Sequence, residues 1–174
     1  MKLGAGIQPR PLWRSLAIFA LSFFALQFGW SQARGTRLER WVIDGATVQT
    51  SVALVNVLTP QVAATARGPN VWAAGGGINV RNGCEGTEVL FLLLAGLLAH
   101  PFSWRARVLG LLGGSALIFL ANQARLLALF YSVRNDPALF AYLHGLVTPL
   151  LLVACTLGFF IALLGWDLRQ AAHD

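Results

Sequence analysis

The sequence predicts an all-α membrane protein built as a bundle of about four transmembrane helices, and two observations support this fold class. The 174-residue chain is 56% hydrophobic and only 11% charged, which is more apolar than a soluble domain of this size. Four apolar stretches also approach the roughly 20 helical residues that cross a bilayer core of about 30 Å. The excess of apolar side chains is therefore expected to face lipid.

The charged and sulfur-containing residues exclude several other classes of protein. Thirteen basic and seven acidic residues give a net charge of +6. The arginines are dispersed or cluster beside the apolar stretches, without the basic and aromatic stripe of a nucleic-acid-binding surface. The two cysteines, Cys84 and Cys155, belong to no Cys-x-x-Cys motif, and no paired histidines supply further ligands. We expect no nucleic-acid partner, no metal site and no cofactor.

Four segments are predicted to span the membrane. They are Trp13 to Trp30, Val89 to Trp104, Val108 to Val133, and Ala138 to Trp166. The second is short and ends near Pro101, where proline favours a helix end or a kink. The basic start and apolar run of Lys2 to Trp30 resemble a signal peptide, but Ser15 to Ala33 is uncharged and long enough to span. We therefore predict an uncleaved anchor.

The connection between the first two spans, residues 31–88, is too long for a simple loop. Leu38 to Leu58 carries apolar residues at near-helical spacing before Pro60, which predicts an amphipathic interfacial helix. Two further segments, Val62 to Arg67 and Val71 to Val80, flank a Gly-Pro-Asn turn signal and predict a possible β-hairpin. The three glycines at 75–77 lack the strand and helix of a phosphate-binding loop, which favours a flexible turn.

The arginine distribution predicts the orientation of the bundle, because basic residues near short loops and membrane ends favour the cytoplasmic side. Basic residues precede span one, occupy the turn between spans two and three, and follow span four. These residues are Lys2, Arg10, Arg14, Arg105, Arg107 and Arg169. Both termini are then cytoplasmic. The chain divides into a cytoplasmic N-terminus with the first helix at 1–30, an extracytoplasmic region at 31–86, and a membrane core of three helices at 87–174.

This topology brings three separated side chains to one depth at the outer face of the membrane. Cys84 lies just before span two, at its outer end, and His144 lies near the outer start of span four. Span three starts near Val108 on the inner side, and at 1.5 Å per residue Arg125 lies about 25 Å along it. A thiol, a guanidinium and an imidazole therefore collect in one layer.

These three groups have complementary roles in acyl transfer. A thiolate attacks a peptide carbonyl, an imidazole exchanges protons, and a fixed cation stabilises the developing oxyanion. A nearby cation also lowers the pKa of a cysteine against the desolvation that raises it. The layer of Cys84, Arg125 and His144 is therefore a candidate site for peptide cleavage or transfer.

Residues 80–166 resemble the exosortase/archaeosortase family of membrane-embedded cysteine transpeptidases, and most closely the small H-type exosortases. The resemblance rests on three motifs at helix ends. They are Asn82-Gly83-Cys84-Glu85-Gly86, Asn122-Gln123-Ala124-Arg125 and Tyr142-Leu143-His144-Gly145. The family implies a catalytic core in which Cys84 is the nucleophile, Arg125 its electrostatic partner and His144 the acid/base. The first 80 residues carry no motif that we match to the family.

The resemblance also implies where such an enzyme works and on what. It implies a protein of the bacterial inner membrane that cleaves C-terminal sorting signals at the outer face through a thioester. The implied substrates are exported proteins that end in a short motif, a transmembrane helix and a basic tail. Whether the acyl group passes to water or to another acceptor stays open, as does the alternative of a non-enzymatic membrane scaffold or small transporter subunit.

Each candidate residue also has a purely structural interpretation. Arg125 can extend to the lipid headgroups, although an arginine inside so long an uncharged run costs roughly 2.5 to 3.5 kcal/mol on insertion. His144 alone can be an interfacial histidine. Asn122 can orient Arg125 or join two helices, and Glu85 and Glu88 can pair with Arg125 or act as helix N-terminal acids. We interpret Cys155 as an inert apolar residue and assign His100 no catalytic role.

Overall fold

The computed structural model describes residues 11–80 and 83–173, and it is helical with one small sheet. Two of its helices include a wider, π-helical stretch, at Trp41–Val48 and Leu143–Val147. We number the helices and strands in chain order as α1 (Leu12–Ala33), α2 (Arg37–Leu58), β1 (Thr65–Arg67), β2 (Asn70–Ala73), β3 (Gly76–Asn79), α3 (Thr87–Ala99), α4 (Trp104–Asn135) and α5 (137–173). The residues Lys2 and Arg10 lie outside the described part of the chain.

Four helices in the described residues are long and apolar enough to cross a membrane, which confirms the predicted fold class. These are Leu12–Ala33, Arg37–Leu58, Trp104–Asn135 and Pro137–Ala172. The number of candidate spans agrees with the prediction, but one of the four helices is not the one predicted. The helix predicted to lie at the interface is among the four by length and composition, whereas α3 is a shorter apolar helix.

The predicted second span is helical only at Thr87–Ala99. At 1.5 Å per residue its 13 residues cover about 20 Å, which is less than the thickness of a bilayer core. The helix ends before His100 because Pro101 disfavours a helical residue in front of it. Helix α4 then starts after Ser103, whose side chain accepts a hydrogen bond from the Ala106 amide.

Helices α1, α3, α4 and α5 form a bundle, in which α1 packs on α3 and α4 packs on α5. Glycines of α4 allow the close approach, since a Cβ at Gly110 would meet the Leu97 and Leu163 side chains and one at Gly114 would meet Phe159. Buried apolar residues from α3, α4, α5 and the turn between α3 and α4 form its core. They are Val89, Leu93, Leu97, Phe102, Ala106, Ile118, Leu152 and Leu163.

Buried Asp167 of α5 stabilises one end of this bundle through hydrogen bonds. Its carboxylate accepts hydrogen bonds from the backbone amide of Ser103 at 3.2 Å and from the Ser103 hydroxyl at 2.5 Å. Arg107 of α4 donates to the carbonyls of Phe102 and His100. The turn between α3 and α4 is therefore fixed by polar contacts at the end of the bundle remote from Cys84.

Residues 37–80 form a second unit, which we call the cap. Its three strands make an antiparallel sheet of order β1-β2-β3, with Ala66 opposite Val71 and Val71 opposite Ile78. The predicted hairpin is thus present and extended by a third strand. Gly75, with φ of 90°, makes the turn before β3. Position 77 within β3 requires a glycine, because a Cβ there would collide with the Val71 carbonyl.

The cap packs on the part of α4 that extends beyond Arg125. Ten residues separate Arg125 from the end of this helix at Asn135, a rise of about 15 Å. The shared core is apolar, and its members are Ile43, Val48, Val55, Ala64, Val71, Ala73, Ile78, Val80, Cys84, Leu126, Leu129 and Phe130. Inside it, the Ser51 hydroxyl donates to Gln123 at 2.7 Å and joins α2 to α4.

Candidate active site

The short segment between the sheet and α3 presents Cys84. Two glycines with left-handed backbone conformations flank it, Gly83 with φ of 100° and Gly86 with φ of 80°. A Cβ at residue 86 would come within 3.0 Å of the Asn122 side chain, so this position combines strain with crowding for any other residue. The tight turn holds the Cys84 thiol against the cap core, where it is 4% exposed.

Arg125 of α4 is 8% exposed, and three of its nitrogens have defined partners. Nη2 lies 3.8 Å from the Cys84 sulfur, and Nη1 donates to the Gly83 carbonyl at 3.2 Å. Nε donates to the Thr148 hydroxyl at 3.1 Å. The guanidinium is therefore directed at the cysteine turn and does not extend to headgroups as a solvated cation would.

His144 also contacts the thiol. It lies in the π-helical turn Leu143–Val147 of α5, and its Nδ1 is 3.5 Å from the Cys84 sulfur. The imidazole stacks on the Phe140 ring, with centroids 5.5 Å apart and planes 6° apart. The His144 side chain is exposed whereas the thiol is buried, so the imidazole marks the open side of the site.

The structure thus brings the three residues singled out in the sequence into contact around one sulfur atom. Burial is the largest influence on the thiol and raises the pKa of Cys84. The positive charge of Arg125 lowers this pKa, and the negative charge of Glu85 raises it. The resting thiol therefore holds its proton more tightly than a free cysteine does, and it needs a proton acceptor at the sulfur.

Asn122 supports the cysteine turn rather than the guanidinium. Its amide nitrogen donates to the Cys84 carbonyl at 3.0 Å, which fixes the backbone of the nucleophile candidate. Its buried amide oxygen has no hydrogen-bond partner in residues 11–80 and 83–173. Among the described residues, its hydrogen bond therefore joins α4 to the cysteine turn, and not to Arg125 or to another helix as the two roles considered for it would require.

The two glutamates have different surroundings, and neither is among the hydrogen-bond partners of Arg125 in the described residues. Glu85 accepts a hydrogen bond from the Gly83 amide at 2.8 Å and faces the Trp30 indole nitrogen of α1 at 3.4 Å. Glu88 is exposed in the first turn of α3, the position of a helix N-terminal acid. Glu85 therefore connects the cysteine turn to the first helix.

The remaining candidates lie away from this site. Cys155 is a free and exposed thiol on α5, eleven residues beyond His144. His100 lies at the far end of α3, where its ring packs against Phe102. The described parts of the chain hold no group of three His, Cys, Asp or Glu side chains that could bind a metal ion.

Comparison with known families decides the class of the protein. Residues 3–161 match the model of the transmembrane exosortases (Exosortase_EpsH). The chain belongs to the transmembrane exosortase family. No curated protein and no solved structure matches it. Membership supports an integral membrane protein with sorting-related transpeptidase activity in general.

The extent of the match corrects one part of the sequence analysis. The exosortase resemblance begins at residue 3 and does not start near residue 80, so the first helix and the cap belong to the family pattern as well. The described cap and Trp30 indeed contact the cysteine turn and α4.

Sequence reasoning missed Thr148, which contacts Arg125 directly. A usable signal was present, because Thr148 lies four residues after His144 and so on the same face of a helix. It also missed that Gln123, a member of the Asn-x-x-Arg motif, points into the cap and bonds Ser51. That contact depends on how α2 packs, which helical spacing alone does not determine.

Proposed function

We propose that this exosortase is a cysteine transpeptidase in which Cys84 is the nucleophile, His144 the acid/base and Arg125 the electrostatic partner. One observation carries the proposal: the Cys84 sulfur contacts both the His144 Nδ1 at 3.5 Å and the Arg125 Nη2 at 3.8 Å. A nucleophile needs a base within hydrogen-bond reach and a cation near the developing charge. This arrangement supplies both.

The first half of the reaction forms a thioester. The Cys84 proton passes to Nδ1 of neutral His144, and the sulfur attacks the carbonyl carbon of the scissile peptide bond. When the tetrahedral intermediate collapses, the C–N bond breaks and its electron pair stays on the departing amine. The imidazolium of His144 returns the proton to that amine, so charge and protons balance.

The second half releases the acyl group. A nucleophile with an exchangeable proton, either water or an amine of an acceptor, gives its proton to His144 and attacks the thioester carbonyl. The C–S bond breaks, the electron pair returns to sulfur, and Cys84 recovers its proton from the imidazolium. Water gives hydrolysis and an amine gives transpeptidation.

Arg125 acts in both halves through its position beside the sulfur. The attacked carbonyl is bonded to the sulfur in the intermediate, so its oxygen forms within reach of Nη2. A fixed donor that is already aimed at this position stabilises negative charge without reorganising during the reaction. The same guanidinium lowers the pKa of Cys84 against the effect of burial, which favours proton transfer to His144.

The proposed substrates are exported proteins whose C-terminus consists of a short motif, a transmembrane helix and a basic tail. An apolar groove of about 390 Å³ supports this proposal, since it lies between α1, α3 and α5 and gives a substrate helix a place to pack. The groove begins near Val89, five residues after Cys84, and continues to His100. Binding the helix there would hold the scissile bond at the thiol, so positioning would supply part of the rate.

The proposed setting is the bacterial inner membrane, with both termini in the cytoplasm and Cys84 at the outer face. A variant without native cysteines, Cys84→Ala/Cys155→Ala, allows a test. Asn135→Cys and Arg105→Cys would each add one exposed thiol, at opposite ends of α4. An impermeant maleimide added to intact spheroplasts should label residue 135 and not residue 105. The reverse pattern would invert the proposed topology.

Trapping the thioester tests the enzymatic proposal directly. The protein is co-expressed with an exported protein of its own proteome that ends in such a tail, and lysates are separated without reductant. We expect a covalent adduct that neutral hydroxylamine releases, and mass spectrometry should place it on Cys84. Cys155→Ala, which removes the other thiol, should still form the adduct.

The matching loss-of-function variant is Cys84→Ala. It should insert at normal abundance and leave its substrate unprocessed, because the small thiol contributes chemistry more than packing. Normal processing by this variant, at an expression level equal to that of Cys155→Ala, would rule out the cysteine mechanism and favour a non-enzymatic role.

A further inference from the structure

Thr148 is the first residue after the π-helical turn of α5, and its hydroxyl group has two partners. It donates to the Leu143 carbonyl, five residues earlier, at 2.9 Å. It accepts the Nε–H of Arg125 at 3.1 Å. A hydroxyl has one proton and two lone pairs, so the bond to Leu143 uses the proton and leaves a lone pair for the arginine. The side chain is 7% exposed.

The π-helical turn places this hydroxyl. The backbone amide of Thr148 also bonds the Leu143 carbonyl, so one carbonyl receives both the amide and the hydroxyl of the same residue. In an α-helix the amide would bond to the residue four positions earlier, which here is His144. The wider turn therefore places one more residue between Thr148, which contacts Arg125, and the carbonyl that binds the Thr148 amide and hydroxyl. Such turns are rare and occur frequently at functional sites.

The hydroxyl also completes the fixation of the guanidinium. Nη1 is held by the Gly83 carbonyl and Nε by Thr148, so two directions in the guanidinium plane are set. Since that group is rigid and planar, two fixed donors also fix where Nη2 points, and it points at the Cys84 sulfur. Loss of the Thr148 contact would leave the guanidinium with the Gly83 carbonyl and the Cys84 sulfur as its partners among the described residues.

We propose that Thr148 is a positioning residue for Arg125, and that the π-helical turn Leu143–Val147 aligns it with His144. One helical element then sets both groups that flank the Cys84 thiol. This inference rests on the proposed function in taking Cys84 as the nucleophile. It deepens that proposal by assigning the alignment of the cation to a neutral residue on the helix of the acid/base.

The test compares Thr148→Val, which keeps the shape and removes the hydroxyl, with Thr148→Ser, which keeps the hydroxyl. The readout is the pH profile for alkylation of Cys84 by iodoacetamide in the purified full-length protein, in a Cys155→Ala background that leaves one thiol. The midpoint of the profile reports the thiolate equilibrium, whereas thiol accessibility changes the rate at every pH alike. Among residues 11–80 and 83–173, the charged or titratable groups facing this thiol are Arg125, His144 and Glu85.

We expect Thr148→Val to move the profile to higher pH and to slow alkylation near neutral pH by at least about threefold, because a displaced guanidinium stabilises the thiolate less. Thr148→Ser should stay within about twofold of the parent, since its hydroxyl restores the anchor. In an Arg125→Lys background, Thr148→Val should add little, because the threonine acts through the guanidinium.

Thr156→Val is the matched control. This buried threonine is on the same helix, and among the described residues its hydroxyl has the Leu152 carbonyl, at 2.8 Å, as its partner. It should leave the profile unchanged. A parent-like profile for Thr148→Val would overturn the inference, as would equal shifts for the valine and serine variants or an equal shift in the control.

These outcomes are separable from failure of the proposed function. Alkylation requires no substrate, so the Thr148 inference is tested even if no substrate is processed. If Cys84→Ala abolishes processing while Thr148→Val keeps the parent profile, the positioning role fails and the cysteine mechanism stands. If the Thr148→Val profile shifts but the protein forms no thioester, the positioning role of Thr148 stands and the proposed reaction fails.

Discussion

The bundle and the cap differ in where they place their apolar side chains. Bundle helices contact one another through small residues and expose large apolar residues. Examples are Phe24, which is 68% exposed, and Leu157, which is 56% exposed. In the cap, Val48, Val55 and Val71 are each 0% exposed. The bundle exposes apolar surface as a lipid-facing unit does, whereas the cap combines a closed core with exposed apolar residues on α2, among them Trp41 at 70% and Val57 at 76%. The Cys84 turn lies where these two packing regimes meet.

This position has a consequence for the chemistry of the site. The thiol belongs to the cap core, whereas Arg125 and Asn122 come from a bundle helix. A charge between two apolar cores is desolvated, which strengthens its electrostatic interactions with neighbours. Burial at this border therefore strengthens the electrostatic effect of Arg125 on the thiol. It also raises the pKa of Cys84, which is the effect that Arg125 opposes.

The largest expected effect separates Arg125 at this border from Arg134, which lies further along α4 and contacts the sheet of the cap. Arg125→Lys, Arg125→Gln and Arg125→Ala should each slow substrate processing by roughly 10²- to 10³-fold, the usual cost of one lost donor to an oxyanion. Lysine keeps the charge but lacks the planar donors that reach Gly83, Thr148 and the sulfur together. Single-turnover cleavage in membranes, with expression matched, is the measurement.

Arg134, nine residues further along the same helix, is the control for this series. Its Nη1 donates to the Ala74 carbonyl at 2.6 Å, which joins α4 to the sheet. Arg134→Lys should process substrate at nearly the parental rate. If Arg125→Lys were equally active, Arg125 would be an interfacial cation only, and the site would reduce to Cys84 and His144.

The relation of this site to the sequence shows what helical spacing can predict. The shared depth of Cys84, Arg125 and His144 follows from a fixed rise per residue and three helix ends, and the structure places these residues in contact. Their lateral partners do not follow from depth. Thr148 and Gln123 find their partners through a wider helical turn and the packing of α2, which a spacing argument does not contain.

The cap and the span boundaries show a second limit. Helical spacing of apolar residues predicted the helix at 38–58 with nearly the bounds observed, and its place at the interface stays a prediction, because its length and composition also suit a membrane span. Apolar length likewise extended span two to Trp104, whereas Pro101 ends the helix at Ala99. Hydropathy measures affinity for an apolar environment, and both protein cores and lipid provide one.

A second prediction compares close packing in the bundle with an open helix surface. Gly114→Ala places a methyl group against the Leu93 and Phe159 side chains, and we expect a loss of about 1–3 kcal/mol in the free energy of unfolding. Gly158→Ala has no heavy atom within 4 Å and should stabilise by up to about 1 kcal/mol through helix propensity. Thermal unfolding of both variants in detergent measures the difference, and equal midpoints would show that α4 and α5 are not closely packed.

The smallest expected effect concerns Glu85, which connects the two regions at the cysteine turn. Its negative charge raises the pKa of Cys84, so Glu85→Gln should lower that pKa and shift the alkylation profile to lower pH. Below the midpoint, more thiolate is then present and alkylation should be roughly twofold faster. Glu88→Gln is the control, because that exposed residue is not among the causes of the shift.

Processing by the same variant distinguishes the charge of Glu85 from its hydrogen bonds. Glutamine still accepts from the Gly83 amide through its one carbonyl oxygen, but it has no second acceptor for the Trp30 indole of α1. Faster alkylation with normal processing would mean that the carboxylate affects only the pKa of the thiol. Faster alkylation with slower processing would mean that the contact between α1 and the cysteine turn aligns the site. A profile shifted to higher pH would contradict the assigned sign, since it would require the lost hydrogen bonds to outweigh the removed charge.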